Sequence, residues 1–166
     1  MLSPEELAEI EMELHHYPMK RAVCVDAMKI VQRHRRWVDD QAMRDIAELL
    51  DMSLADLEGV ATFFNGIYRR PVGQFVVRQC NSVSCWILGA DGVRDALLRE
   101  TGTGRYGVTS PDDTFTVLPT QCLGACDRAC VLLINQETHF DVTPESVPAL
   151  VAQYRQCAAA GRGGGA

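Results

Sequence analysis

Gln74-Phe-Val-Val-Arg-Gln-Cys80-Asn-Ser-Val-Ser-Cys85 reads as a strand that runs straight into a pair of cysteines. Thr114-Phe-Thr-Val-Leu-Pro-Thr-Gln-Cys122-Leu-Gly-Ala-Cys126 repeats the arrangement further along. Aromatic and β-branched residues fill both runs, as pleated, half-buried surfaces require. Between them Leu88, Val93, Ala96 and Leu97 recur at helical spacing over Ile87 to Thr101. A strand-helix-strand unit in one sheet makes its strands parallel, with a right-handed crossover. Parallel strands end on the same edge, so the C-x4-C pair and the C-x3-C pair are expected at one rim, where open α/β sheets place their sites.

Working outward, Cys130-Val-Leu-Leu-Ile134, a turn at Asn135-Gln-Glu-Thr138 and His139-Phe-Asp-Val142 suggest a hairpin. A last helix starts between Pro144 and Pro148 and continues through Leu150, Val151 and Tyr154, since a proline deep in a helix would break it. Toward the N-terminus, Arg70-Pro71-Val72-Gly73 breaks a helical pattern. Four helices are expected before it. Ser3-Pro4-Glu5-Glu6 is a capping-box start for a helix to about His16, interrupted at Tyr17-Pro18. Ala22, Val23, Ala27, Ile30 and Val31 mark a second helix ending in Arg33-His34-Arg35-Arg36, a basic cluster read as a solvated last turn favoured by the helix dipole. Asp39-Asp40 and Ser53 cap a third and a fourth. The expectation is an α+β chain: a helical bundle over 1–72, an α/β domain over 73–158 and a disordered tail over 159–166.

With 166 residues, 47% of them hydrophobic, the chain can build a real core. Its net charge of −6 carries no basic excess in either half, so it lacks the balance of a nucleic-acid binder. Ile46 to Val60 has the rhythm of a helix-turn-helix. Its would-be recognition helix offers Asp56 and Glu58, with no Lys or Arg before Arg69, and would repel phosphates. Gly102-Thr-Gly-Arg-Tyr-Gly107 is formally GxGxxG, but it follows a helix instead of a strand and reads as a loop, so the chain has no nucleotide fingerprint of its own. No signal segment is apparent at the start, and no apolar run approaches the roughly 20 residues that span a bilayer. The chain is therefore expected in the cytoplasm, or peripheral on the cytoplasmic face of the inner membrane, without direct insertion.

Seven cysteines, an odd number, argue in a reducing compartment for metal, catalysis or buried thiols. Four thiolates at one rim suit a [2Fe–2S] cluster, a structural zinc or two disulfides. Zinc usually takes tighter C-x2-C knuckles. A cluster with four thiolates carries a charge of about −2, or −3 when reduced, and calls for N–H donors around it. Gly89 and Gly124 permit close backbone approach, the Asn81–Ser84 loop can present amides, and a helix starting just after Cys85 would aim its positive end at the site. Arg78 and Arg128 read as surface positions.

At these residues the chain resembles a known family: the small thioredoxin-like [2Fe–2S] subunit of the NADH-dehydrogenase module of respiratory complex I, the NuoE family, with kin in NAD-linked formate dehydrogenases and hydrogenases. The motifs are Tyr17-Pro-Met-Lys-Arg21, Val31-Gln32 with Trp37-Val38, Glu58-Gly-Val-Ala-Thr-Phe-Phe64, Cys80-x4-Cys85 and Leu118-Pro-Thr-Gln-Cys-Leu-Gly-Ala-Cys126. The resemblance implies a thioredoxin-like second domain and a [2Fe–2S] cluster held by Cys80, Cys85, Cys122 and Cys126. It also implies an FMN- and NADH-binding flavoprotein partner that exchanges single electrons with the cluster, and a further iron–sulfur subunit. In that family the cluster stands beside the main electron path as a one-electron store. A zinc-stabilised scaffold is the competing reading. Cys130 and Arg128-Ala129 depart from the family pattern; Cys130, at the start of an expected buried strand, is set aside in favour of Cys126 as ligand. Cys24 and Cys157 read as packing residues on helices, Trp86 as a cluster shield or a packing residue, and the four histidines have no ligand spacing.

Overall fold

Residues 1–161 are described by a computed structural model, and the chain divides into two units, Met1–Pro71 and Val72 onward. The first unit holds α1 (Pro4–Leu14), a 3-10 turn (Lys20–Val23), α2 (Cys24–Arg35), α3 (Asp40–Leu49) and α4 (Leu54–Phe63). The caps are those the sequence announces. Ser3 Oγ accepts from Glu6 N–H while the Glu6 carboxylate accepts from Ser3 N–H at 2.7 Å, and Asp39 and Ser53 cap α3 and α4. Ile10, Val23, Ala27, Met28, Val31, Met43, Ile46 and Leu57 interlock with no measurable exposure.

The basic end of α2 is exposed at Arg33, His34 and Arg36, as a solvated last turn would be, but Arg35 is half-buried. Arg35 donates to both carboxylate oxygens of Glu6, at 2.6 and 2.5 Å, and Glu6 is buried. Burial alone would raise the Glu6 carboxyl; the Arg35 and Ser3 hydrogen bonds overcome it and hold the group below the usual carboxylate range. Arg33 and His34 both reach Glu9. The cluster therefore ties α2 to α1. Buried Gln32 does similar work further on: its side-chain amide donates to Gly66 O at 2.9 Å and accepts from Tyr68 N–H at 2.6 Å, taking the place of a strand for the segment after α4.

The second unit runs β1 (Phe75–Cys80), α5 (Val83–Ile87), α6 (Ala90–Thr101), β2 (Phe115–Thr120), a 3-10 turn (Cys126–Arg128), β3 (Leu132–Ile134), β4 (Glu137–His139) and α7 (Val147–Ala159). The sheet order is β2-β1-β3-β4. β1 and β2 are parallel neighbours in register from Phe75 opposite Phe115 to Cys80 opposite Thr120, and β3 and β4 run antiparallel. Phe75, Val77, Phe115, Val117, Leu132 and Ile134 meet residues of α6 and α7 in one core.

Several boundaries differ from expectation. Cys80 is the last residue of β1, hydrogen-bonded through its N–H to Val131 O at 3.1 Å, and does not follow the strand. The helix expected just after Cys85 is two pieces: Cys85 sits inside the single turn α5, and α6 begins at Ala90 after Gly89 turns left-handed (φ 98°). The hairpin is tighter than read. β4 starts at Glu137, because Asn135 adopts φ 50° and turns the chain at once. The Asn135 side chain then bonds the start of β1, accepting from Val76 N–H at 2.8 Å and donating to Gln74 O at 3.1 Å. α7 starts at Val147 with Pro148 in its first turn, and α1 stops at Leu14. The expected tail begins on the last helical residue, Ala159, and its residues 162–166 lie outside the described ones. Gly73 crosses β2 at close range: a Cβ there would lie 2.8 Å from the backbone of Phe115 and Thr114.

Candidate metal centre

Five of the seven thiols gather near the C-terminal rim of the parallel pair: Cys80, Cys85, Cys122, Cys126 and, beside Cys85, Cys130. β1 delivers Cys80 at its last residue, and α5 brings back Cys85 as its one buried side chain. Both are almost fully enclosed, at 3% and 2% exposure. β2 ends at Thr120, two residues before Cys122, and Cys126 opens the following 3-10 turn. This second pair is exposed. Its sulfurs stand 3.4 Å apart, near the roughly 3.8 Å that two thiolates about 2.3 Å from one tetrahedral metal require.

The surroundings are rich in hydrogen-bond donors. Burial raises the Cys80 thiol, but N–H groups of Ser82 and Leu123, the Ser82 hydroxyl and the Cys85 thiol outweigh it and hold Cys80 below an ordinary cysteine. Cys85 is pushed up to about 11 by burial and by Cys80, against the pull of the Val131 N–H at its sulfur. Cys126 is raised by its hydrogen bond and like charge with Cys122, opposed by Ser84, and it also feels Cys80 across the site. The Gly124 N–H donates to Cys122 Sγ at 3.4 Å. The thiols thus sense one another across the two pairs, with amides aimed at the sulfurs.

That chemistry fits a [2Fe–2S] cluster: four thiols in two pairs, each pair able to serve one iron, among N–H donors suited to the added charge of a reduced cluster.

The remaining expectations divide. Arg128 is on the surface, paired with Asp141 at 2.7 Å and stacked on Phe140 at 4.4 Å. Arg78 is half-buried instead and donates to Asn135 O at 3.4 Å. Trp86 is 62% exposed, so it is no core residue. Cys24 is buried at the start of α2 and Cys157 half-buried on α7. Cys130 lies two residues before β3, not at its first position, with its thiol against the carbonyls of Cys85 and Leu88. His139 hydrogen-bonds Tyr154, while His16 and His34 meet glutamates and His15 a helix carbonyl. The residue pattern gives no sign of Leu123 and Val131, whose donors are main-chain groups and leave no residue-type signature.

No helix among the described residues is long and apolar enough to cross a membrane. Over residues 10–155 the chain matches the model of a family described as thioredoxin-like [2Fe-2S] ferredoxin. It is 45% identical over 154 residues to the E subunit of the NADH-quinone oxidoreductase of Escherichia coli (strain K12), covering 93% of this chain and 92% of that one. The corresponding Pseudomonas aeruginosa protein is 44% identical over the same length and the same shares. Among solved structures, a NAD+-reducing [NiFe]-hydrogenase in the air-oxidized state superposes with a TM-score of 0.68 over 81% of this chain and 23% of that longer one. At 18% identity that likeness speaks for the fold alone.

Proposed function

We propose, for a chain that belongs to the thioredoxin-like [2Fe-2S] ferredoxin family and, within it, to the E subunits of NADH-quinone oxidoreductase, a one-electron carrier whose [2Fe–2S] cluster is held by Cys80, Cys85, Cys122 and Cys126. Its exchange partner is the FMN of an NADH-oxidising flavoprotein subunit, with a further iron–sulfur subunit in the same assembly, peripheral on the cytoplasmic face of the inner membrane. The observation that carries this reading is the convergence of two cysteine pairs, one buried and one exposed, at one rim.

The cluster supplies a site that takes up and gives back single electrons. The protein's own residues do the rest. The ends of β1 and β2 hold the sulfurs. Main-chain N–H groups of Ser82, Leu123, Gly124 and Val131 face those sulfurs and offset negative charge. Burial of Cys80 and Cys85 keeps water from one side of the site. Exposure of Cys122 and Cys126 leaves the other side open to a partner. Val83, Trp86, Ile87 and Leu88, all 62–69% exposed, put an apolar surface on α5 beside the ligands, which supports a subunit docked there. Gly102–Gly107 lies between α6 and β2, in the wrong context for a dinucleotide, so NADH is assigned to the partner. The relatives at 44–45% identity favour a quinone-reducing parent over a hydrogenase or formate dehydrogenase.

Anaerobic purification followed by iron and acid-labile sulfide analysis, with EPR of the dithionite-reduced protein, tests the cluster. Iron and sulfide in equal amounts with a reduced-state signal are expected. Stoichiometric zinc without sulfide would sink the proposal. Co-expression with the flavoprotein tests the partner: a stable complex in which NADH develops the cluster signal is expected, and failure to associate overturns it.

A further inference from the structure

A fifth thiol, Cys130, lies beside the buried pair. α5 is a single turn with one buried side chain, Cys85, while Val83, Trp86, Ile87 and Leu88 point away from the core. Packing therefore gives α5 little hold on the rest of the unit. Its internal bonds, Trp86 N–H to Ser82 O at 2.9 Å and Leu88 N–H to Ser84 O at 3.1 Å, shape the turn without anchoring it. Cys130, 2% exposed, reaches this turn from outside it, with its thiol in hydrogen-bond contact with Cys85 O at 3.4 Å and Leu88 O at 3.6 Å. Cys130 is itself fixed, its carbonyl accepting from Val142 N–H at 3.0 Å. The next residue completes the tie: Val131 O accepts from Cys80 N–H at 3.1 Å, and Val131 N–H points at Cys85 Sγ.

We propose that Cys130 is a positioning residue for the metal ligand Cys85, its S–H pinning the carbonyl end of α5 so that the Cys85 sulfur stays opposite the Val131 N–H. The inference rests on the four-cysteine ligand reading above. Cys130 holds no iron. It holds the turn that presents a ligand, and it does so with a weak donor, so its removal loosens the site without emptying it.

The test uses the full chain carrying its cluster, as Cys130→Ala, Cys130→Ser and Cys126→Ser, with four readouts: iron and sulfide per chain, the rate of iron release to a chelator, the EPR spectrum of the reduced protein, and the unfolding midpoint of the cluster-free protein. Cys130→Ala is expected to load fully, to release iron roughly two- to tenfold faster, as loss of one hydrogen bond implies, and to shift the EPR g values. Cys130→Ser keeps a donor and is expected to recover part of both. A Cys130→Ala protein with the parent's release rate and spectrum, and only a lower unfolding midpoint, overturns the proposal and makes Cys130 a packing residue. An empty Cys130→Ala beside a loaded Cys126→Ser overturns the ligand reading as well, by making Cys130 a ligand.

Discussion

The two cysteine pairs share a rim and differ in almost everything else. Cys80 and Cys85 belong to the core that also holds Phe75, Leu97 and Leu132, and their positions are dictated by a strand end, a helical turn and the Val131 peptide. Cys122 and Cys126 stand on a loop and a 3-10 turn, open to solvent, with their sulfurs 3.4 Å apart and the Gly124 N–H equally close to Cys122 Sγ. The buried pair is packed into the core of the unit, and the exposed pair stands on its surface. A redox site gains from this division. In the function proposed above, one side of the site is shielded from water and the other is open to solvent.

Substituting the pairs should separate folding from loading. Cys85→Ala and Cys122→Ala are both expected to lose the cluster, the largest effect foreseen, seen as loss of visible absorbance and EPR signal. Only Cys85→Ala should also lower the stability of the cluster-free protein, by about 1–2 kcal/mol, because it leaves a void in the core. Cys122→Ala, at an exposed position, should stay within about 0.5 kcal/mol of the parent by denaturant unfolding. Equal losses would erase the contrast. Next in size is thiol labelling of the cluster-free protein followed by mass spectrometry. Cys122 and Cys126 should react about a hundredfold faster than Cys80 and Cys85, which need a local opening costing about 3 kcal/mol. Comparable rates would show that the buried pair is not enclosed. The smallest effect is expected at Tyr106→Phe. The Tyr106 hydroxyl donates to buried Gln79 at 2.5 Å, one residue before Cys80, and its loss should cost about 1 kcal/mol while the cluster is retained. A silent substitution would mean that this bond does not brace the ligand strand.

Much of the second unit is legible in the sequence because its signals are local. β-branched runs mark β1 and β2, and the crossover rule makes them parallel. Ser3, Asp39 and Ser53 announce their helices through cap chemistry alone. The features that stay hidden are either very short or held by residues far apart in the chain. Val83–Ile87 is one turn, too brief for periodicity to register, and β4 has three residues. The Asn135 turn lacks the glycine that usually betrays a tight hairpin. Arg33, His34 and Arg35 also pair with Glu6 and Glu9, and nothing near them in sequence says that those carboxylates lie opposite. At the candidate centre, residue type and spacing name the thiols, but not that one pair is sealed and the other open. Nor can they show Cys130 gripping α5, because a thiol-to-carbonyl contact has no spacing rule.

Gly73 bears on the cysteines from the opposite end of β1. With its backbone against Phe115, no residue that carries a Cβ can sit at that crossing without displacing the neighbouring strand, and its N–H is also engaged, by Thr116 Oγ1 at 2.8 Å. The crossing acts as a datum from which the strand is measured. A slip of one residue would advance Cys80 by about 3.3 Å along the sheet and turn its side chain to the other face. A residue without a side chain, a full strand's length from the rim, thus bears on the alignment of Cys80, a ligand in the function proposed above. An insertion or deletion between Gly73 and Cys80 is expected to misplace the Cys80 sulfur even with every cysteine intact.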